Sequence, residues 1–245
     1  MNRLIFCVLK TYASISGPVI PQFLNDQVSR LVEREKESLH LRELETAENK
    51  KYDTEHFNRR SSTYENSLDQ RLWFDRFQKR ILKLVEKGYT PNTVLDVGCG
   101  TGRLLRKAKA RWPKAQFIGV DPANGMIENA RRLMPEAKFY VGQAESLPLP
   151  DASVDLVFST ASYNFWQDKE KGLSEIKRVL QLGGRLYLAD IWPPLGLSKF
   201  ITRFEFNNPS ALQETFRRVG FQIRDQKIWP IMWLVVTVGE RPSSR

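Results

Sequence analysis

From about residue 90 to residue 240 the chain alternates short apolar runs with longer stretches whose apolar positions recur at helical spacing. Runs too short to be helices, rich in Val, Ile, Leu and Phe, predict strands. They fall at Thr93–Val97, Gln116–Val120, Lys138–Val141, within 151–159, and at Arg185–Ala189, Phe221–Gln226 and Ile231–Val238. Helical spacing predicts a helix over Leu68–Lys87 closed by Gly88, helices opening near Arg103 and after Pro122, and helices over Asp168–Leu180 and Pro209–Val219. Strand and helix in alternation predict an α/β fold around a parallel sheet. Upstream, Asn25–Lys50 spaces Val28, Leu31, Val32, Leu39, Leu41 and Leu44 among charges and predicts a surface amphipathic helix. The apolar run Leu4–Leu9 is too short to span a bilayer, and Gly17, Pro18 and Pro21 interrupt any helix beyond it, so 1–24 is expected to be a poorly ordered extension.

Where the first core strand ends, the chain reads Val94-Leu95-Asp96-Val97-Gly98-Cys99-Gly100-Thr101-Gly102. A strand breaking into a loop with glycine at alternate positions, then a helix, predicts the nucleotide crevice of an open α/β sheet. A dinucleotide fingerprint would carry a third glycine where Arg103 stands, which argues against a nicotinamide oxidoreductase. Asp96, two residues ahead of the first glycine, would repel a pyrophosphate and suits a cationic ligand.

This stretch resembles motif I of the class I S-adenosylmethionine (SAM)-dependent methyltransferases. About twenty residues on, Gly119-Val120-Asp121-Pro122-Ala123-Asn124-Gly125-Met126 resembles motif II. Gly142-Gln143-Ala144-Glu145-Ser146-Leu147-Pro148 is similar to the family's G-D-A-E-x-L-P, with Gln143 in the acid position. Phe57–Glu65 resembles a segment that folds over the cofactor in many small-molecule members, with Ser62 and Glu65 at the usual Ala and Asp places. The resemblance implies a Rossmann-like, doubly wound seven-stranded sheet, mostly parallel with an antiparallel C-terminal strand and helices on both faces. It implies SAM as cofactor and S-adenosylhomocysteine (SAH) as product. The implied cofactor residues are Asp96, Gly98, Cys99, Gly100, Gly102, Asp121, Pro122, Met126, Gln143, Ala144, Glu145, Ser159 and Tyr64. Within this set Asp121 takes the ribose hydroxyls, Met126 packs on adenine, and the Gln143 carbonyl accepts from the adenine amino group in place of a carboxylate.

The acceptor side is expected beyond the fourth and fifth strands, where Tyr163, Asn164, Trp166 and Trp192 stand. Tyr163, Asp168, His56 and Tyr64 are the candidates for a general base, none fixed by a diagnostic motif. Phe158-Ser159-Thr160-Ala161 replaces the [N/D]-P-P-[Y/F] of nucleic-acid amino-methyltransferases, and neither Cys7 nor Cys99 is placed as a nucleophile toward cytosine.

Composition trims the remaining choices. Formal net charge is +10, with cations spaced along the helices on either side of the glycine loop, where they read as solvated faces rather than a nucleic-acid groove. Two distant cysteines and two histidines make neither a disulfide framework nor a His-rich metal site, and suit a reducing, cytoplasmic setting. The expected organisation is an extension over 1–50, a methyltransferase domain over 51–240 and a tail over 241–245. The expected activity is methyl transfer to a small, aromatic or quinone-like metabolite, without nucleic-acid partner or integral membrane segment; peripheral membrane contact and oligomeric state stay open. The alternative is an inactive SAM- or SAH-binding module acting through a protein partner.

Overall fold

The structure is a computed structural model, and it describes residues 54–67, 74–86, 88–191, 209–229 and 234–243. The expected extension over 1–50, Trp73, Trp192 and the aromatic loop up to residue 208 lie outside the described residues. In chain order the elements are α1 (Thr54–Tyr64), α2 (Asp75–Leu84), β1 (Thr93–Val97), α3 (Arg103–Arg111), β2 (Gln116–Asp121), α4 (Asn124–Leu133) and β3 (Lys138–Val141). Next come β4 (Val154–Thr160), a 3-10 turn over Tyr163–Phe165, α5 (Lys169–Val179), β5 (Leu180–Ile191), α6 (Pro209–Val219), β6 (Gln222–Trp229) and β7 (Leu234–Glu240).

All seven strands join one sheet in the order β3-β2-β1-β4-β5-β7-β6. The first five pair in parallel, and β7 runs antiparallel between β5 and β6. Strand order reverses between β1 and β4, so their carboxyl ends open a crevice there.

Side chains alternate across the sheet with period two, as strands require. Val94, Leu156, Phe158 and Tyr187 join one core layer with Phe77 and Ile81 of α2, Leu104 and Leu105 of α3, and Ile127 of α4. Leu95, Val157, Leu186 and Leu188 join the other with Leu173 and Ile176 of α5 and Leu212 and Phe216 of α6. Helices therefore cover both faces, as expected.

Several elements differ in extent from expectation, β6 running on to Trp229 among them. Phe57–Glu65, which carries no periodic signal in its sequence, is mostly the helix α1, and none of that helix's side chains is buried. Helix α2 stops at Leu84 because Val85 turns extended (ψ 127°) and buries its side chain. Arg111 of α3 caps that end, donating to the carbonyl oxygens of Leu82, Val85 (2.8 Å) and Glu86 (3.2 Å). Strand β5 starts at Leu180 rather than Arg185, because Leu180 pairs with Val154 before the register shifts to Leu156–Arg185.

The cations of α3 are less solvated than their spacing suggested. Lys107 bonds Asp75 (2.6 Å) and the Gln78 side chain (2.6 Å), and Arg106 pairs with Glu65. With Lys107 and Lys79 beside it, the Asp75 carboxyl is held down at about 2. Much of the positive charge thus joins helices to one another.

Phe158, fully buried in β4, stacks near Trp112 (centroids 6.5 Å) and tilts against Tyr187 (5.7 Å). Phe158→Ala is expected to cost about 3–5 kcal/mol through lost transfer energy and the cavity left behind. Urea unfolding checks it: the midpoint falls while the slope stays as in the parent chain.

Candidate functional site

The crevice starts with the glycine loop between β1 and α3. Gly98, Gly100 and Gly102 all have positive φ, at +75°, +52° and +74°, a region closed to most side chains. At Gly98 space is decisive as well, since a Cβ there would lie 2.3 Å from the Ser162 Cβ. The loop is pinned from below, where Gly98 and Cys99 donate their N–H groups to the Val120 carbonyl at 2.8 and 3.1 Å.

Two carboxylates stand beneath this loop. Asp121, at the end of β2, accepts from the Gly100 N–H (2.8 Å) and the Ala123 N–H (2.9 Å), tying the glycine loop to the turn that opens α4. Burial lifts its pKa to about 6, while those two hydrogen bonds pull the other way. Asp96, in β1, is 2% exposed and its Oδ1 has no hydrogen-bond partner. Burial first, then the negative charge of Asp121, pushes its pKa up to about 8. Among the described residues one other buried side-chain polar atom lacks a partner, Thr160 Oγ1 at the end of β4. Asp96 lies opposite Phe158 in the β1–β4 register, so Thr160 projects from the same face one side-chain step further toward the carboxyl edge. An unpartnered buried polar atom costs about 1–3 kcal/mol. Two of them on one face of adjacent strands at the switch point fit a polar ligand. A cationic group would also return the proton-holding Asp96 to its charged form.

Tyr64 of α1 apart, the remaining expected cofactor residues lie at or beyond the carboxyl ends of β1, β2, β3 and β4. Cys99 is buried, its thiol pushed well up by burial and the two nearby carboxylates, and its Sγ lies 3.5 Å from the Gly100 carbonyl oxygen. Pro122 is exposed and Met126 fully buried in the first turn of α4. Gln143 is exposed with its carbonyl accepting from the Ser146 N–H (3.2 Å), leaving the amide side chain at the surface of the β3 loop beside buried Ala144. The Glu145 carboxylate instead binds the Gln167 and Asp168 N–H groups (2.6 and 3.1 Å), holding the segment before α5. Ser159 is buried and shares a 2.7 Å hydrogen bond with Ser162, which in turn donates to the Val97 carbonyl at 3.0 Å.

Over the crevice lies α1. The Asn58 side chain accepts from the Gly125 N–H at the start of α4 (2.8 Å), and Asn129 donates to the Ser61 carbonyl (3.2 Å). The Phe57 ring meets Phe165 edge-on at 5.8 Å, with His56 (5.6 Å) and Tyr64 (6.3 Å) against its other edges. The Tyr64 ring comes within 3.6 Å of where a Cβ on Gly100 would be. Helix α1 thus reaches across the turns after β1, β2 and β4.

On the acceptor side the structure separates the expected residues. Tyr163 and Trp166 are buried on the α5 face, edge to face at 5.1 Å, and burial drives the Tyr163 phenol up to about 12. Trp166 packs so tightly on Gly172 that a Cβ there would meet its ring at 2.6 Å. Asp168 is the N-cap of α5, accepting from the Lys171 N–H at 2.9 Å. Asn164 and Phe165 remain half-buried at the mouth. Sequence reasoning passed over Asp190, the last residue but one of β5, near the same edge of the sheet as Asp121 at the end of β2. Asp190 is buried with a pKa raised to about 6, and accepts from the Asn164 and Ile191 N–H groups (3.1 and 2.7 Å). The signal was available: an acid near the end of an apolar strand at the ligand-facing edge. Thr160, polar at the same edge, carried it too.

Asp96, Asp121 and Asp190 have folded pKa values above 3.8, so each keeps its proton in the native state after the unfolded chain has released it. The native state then binds more protons, and stability is expected to fall as pH rises from about 4 to about 8. Denaturant titrations of the ligand-free chain across that range check the slope. Asp96→Asn is expected to flatten its upper part, above about pH 6, where Asp96 alone still titrates.

Comparison with known proteins bears on the same region. Residues 95–188 match the methyltransferase-domain family. The demethylmenaquinone methyltransferase of Thermotoga maritima is 32% identical over 119 residues, covering 49% of this chain and 52% of that one. The malonyl-[acyl-carrier protein] O-methyltransferase of Xylella fastidiosa is 35% identical over 150 residues, covering 58% and 50%. The chain thus spans about half the length of these curated relatives. A solved SAM-dependent methyltransferase of Thermotoga maritima superposes with a TM-score of 0.62 at 24% identity, covering 77% of this chain and 100% of that one, which shows a shared fold. The glycine loop between β1 and α3 and the acid ending β2 both fall within the residues 95–188 that match the methyltransferase-domain family.

Proposed function

We propose that this chain transfers a methyl group from SAM to a small-molecule acceptor of aromatic or quinone-like character. The observation that carries the reading is the unpartnered, proton-holding Asp96 beneath a left-handed glycine loop, a site that gains most from a positively charged ligand. SAM, when bound, supplies an electrophilic methyl on a sulfonium.

The protein's residues then have separate tasks. Gly98, Gly100 and Gly102 expose backbone where a side chain would block approach, and Asp96 faces the cationic end of the ligand. Each Asp121 oxygen accepts one backbone N–H and keeps a further lone pair for the ribose hydroxyls. Gln143, Ala144 and Met126 bound the adenine side. Thr160 and Asn164 stand toward the acceptor, walled by Phe57 and Phe165. These rings exclude water, which strengthens the pull of a sulfonium on an electron-rich atom. Neither Tyr163, buried with its phenol at about 12, nor the capping Asp168 is placed as a base. Of the four candidates this leaves His56 and Tyr64, which pack against Phe57, and the site contributes chiefly placement.

The acceptor class draws on two features, the aromatic mouth and the likeness to a demethylmenaquinone methyltransferase. We place the protein in the cytoplasm, consistent with a free, buried Cys99; among the described residues no helix is long and apolar enough to cross a membrane.

Calorimetry with SAH tests the cofactor site, and uptake is expected. Asp121→Ala is expected to raise the dissociation constant about tenfold or more, since hydrogen bonds to charged groups are worth about 1.5–3 kcal/mol. Labelled SAM supplied with a metabolite extract or a demethylated quinone then tests transfer, and label appearing in the acceptor removes the binding-only alternative. A chain that ignores SAH while binding another nucleotide would overturn the reading.

A further inference from the structure

Helix α1 poses a physical problem. It is 11 residues long and buries no side chain, yet it lies across the mouth of the crevice. An isolated helix of that length is marginal in water, so contacts with the rest of the fold must hold it. One attachment is at its C-terminal side, where the chain leaves the helix at Glu65.

The Glu65 carboxylate takes part in a closed ring of contacts with the glycine loop. Its Oε2 accepts from the Thr101 hydroxyl at 2.6 Å, and its Oε1 pairs with the Arg106 guanidinium. A second Arg106 nitrogen donates to the Thr101 carbonyl at 2.6 Å, and Arg103 donates to the Glu65 carbonyl at 3.3 Å. Thr101 is 2% exposed and stands between Gly100 and Gly102, the two left-handed residues nearest α3. The acid just beyond the helix is therefore bonded to the middle of the loop expected to hold the cofactor. A partly exposed ion pair alone contributes little. Here it shares its acceptor with a buried hydroxyl, so losing the carboxylate leaves the Thr101 hydroxyl without this partner.

Resting on the methyltransferase reading, we propose that Glu65 is a positioning residue: a latch fastening α1 over the glycine loop and setting how fast SAM and SAH enter and leave. Opening the ring removes the attachment of α1 to the glycine loop, while the Asn58–Gly125 and Ser61–Asn129 hydrogen bonds and the Phe57–Phe165 contact tie it to α4 and to the turn after β4. Closing it lowers the lid and sets the loop geometry together.

The test compares the full chain with Glu65→Ala, Glu65→Gln and Thr101→Val. Amide hydrogen exchange of α1 is followed without ligand, and SAH dissociation by stopped flow. Glu65→Ala is expected to speed both by about tenfold or more, the range expected for loss of charge-assisted hydrogen bonds. KM for SAM should rise more than kcat falls. Glu65→Gln keeps an acceptor for Thr101 and is expected to fall between Glu65→Ala and the parent. Adding Thr101→Val to Glu65→Ala should change little more, because both break one ring. Unfolding midpoints identify any variant that merely fails to fold, and the near-isosteric Glu65→Gln keeps the comparison open in that case. A parent chain that binds SAH, with α1 exchange and SAH release unchanged in the variants, overturns the latch while leaving the methyltransferase reading intact. A parent chain that takes up no SAH defeats the methyltransferase reading and the latch with it.

Discussion

Two carboxyl groups kept out of water govern the carboxyl edge of this sheet. Asp121 fastens two turns at once, because one oxygen holds the Gly100 N–H and the other the Ala123 N–H. Without that bridge the glycine loop and the start of α4 would be set independently. Asp96 has no such compensation, and its isolation makes a charged carboxylate at this depth costly. The arrangement is tolerable because Asp96 can hold its proton while two backbone N–H groups support Asp121, and useful because a positive ligand removes the cost at Asp96. Stability and binding are thus opposed at one place, a common mark of a functional site.

The packing around the loop answers the same demand. Gly119 lies beside Asp96 in the β1–β2 register, and a Cβ there would run into the Phe139 ring at 2.6 Å and the Cys99 sulfur at 2.8 Å. The bare stretch of β2 gives Phe139 room to lie under the loop, where its ring also comes within 3.0 Å of a Cβ built on Gly102. Glycines of the motif and glycine of the neighbouring strand thus serve one packing solution.

Most of the sheet was legible in the sequence because buried parallel strands are written as short apolar runs, and Val94–Val97, Phe117–Val120 and Leu156–Phe158 are such runs. The glycine loop and Asp121 were legible through spacing alone. The features that escaped depend on long-range partners. Helix α1 has no buried face to leave a periodic trace, since it is held by polar contacts to residues some 40 to 70 positions away. Tyr163 and Trp166 looked like acceptor-facing aromatics, but which side of the turn they take is decided by Gly172 and α6, neither of which a local pattern reveals. The cations of α3 looked solvated because their carboxylate partners are far in sequence, Glu65 just beyond α1 and Asp75 on α2.

The place of β7 has a consequence for how the molecule is made. Every residue of this strand is buried, and it fills the gap between β5 and β6 with antiparallel ladders on both sides. Until residues 234–240 have emerged from the ribosome, β5 exposes an unpaired edge and β6 lacks its neighbour in the sheet. A chain without β7 in place leaves a raw border on the sheet that holds the crevice, the kind of border that invites pairing with other chains. Closing that border late makes the finished sheet depend on a segment far in sequence from the site it completes.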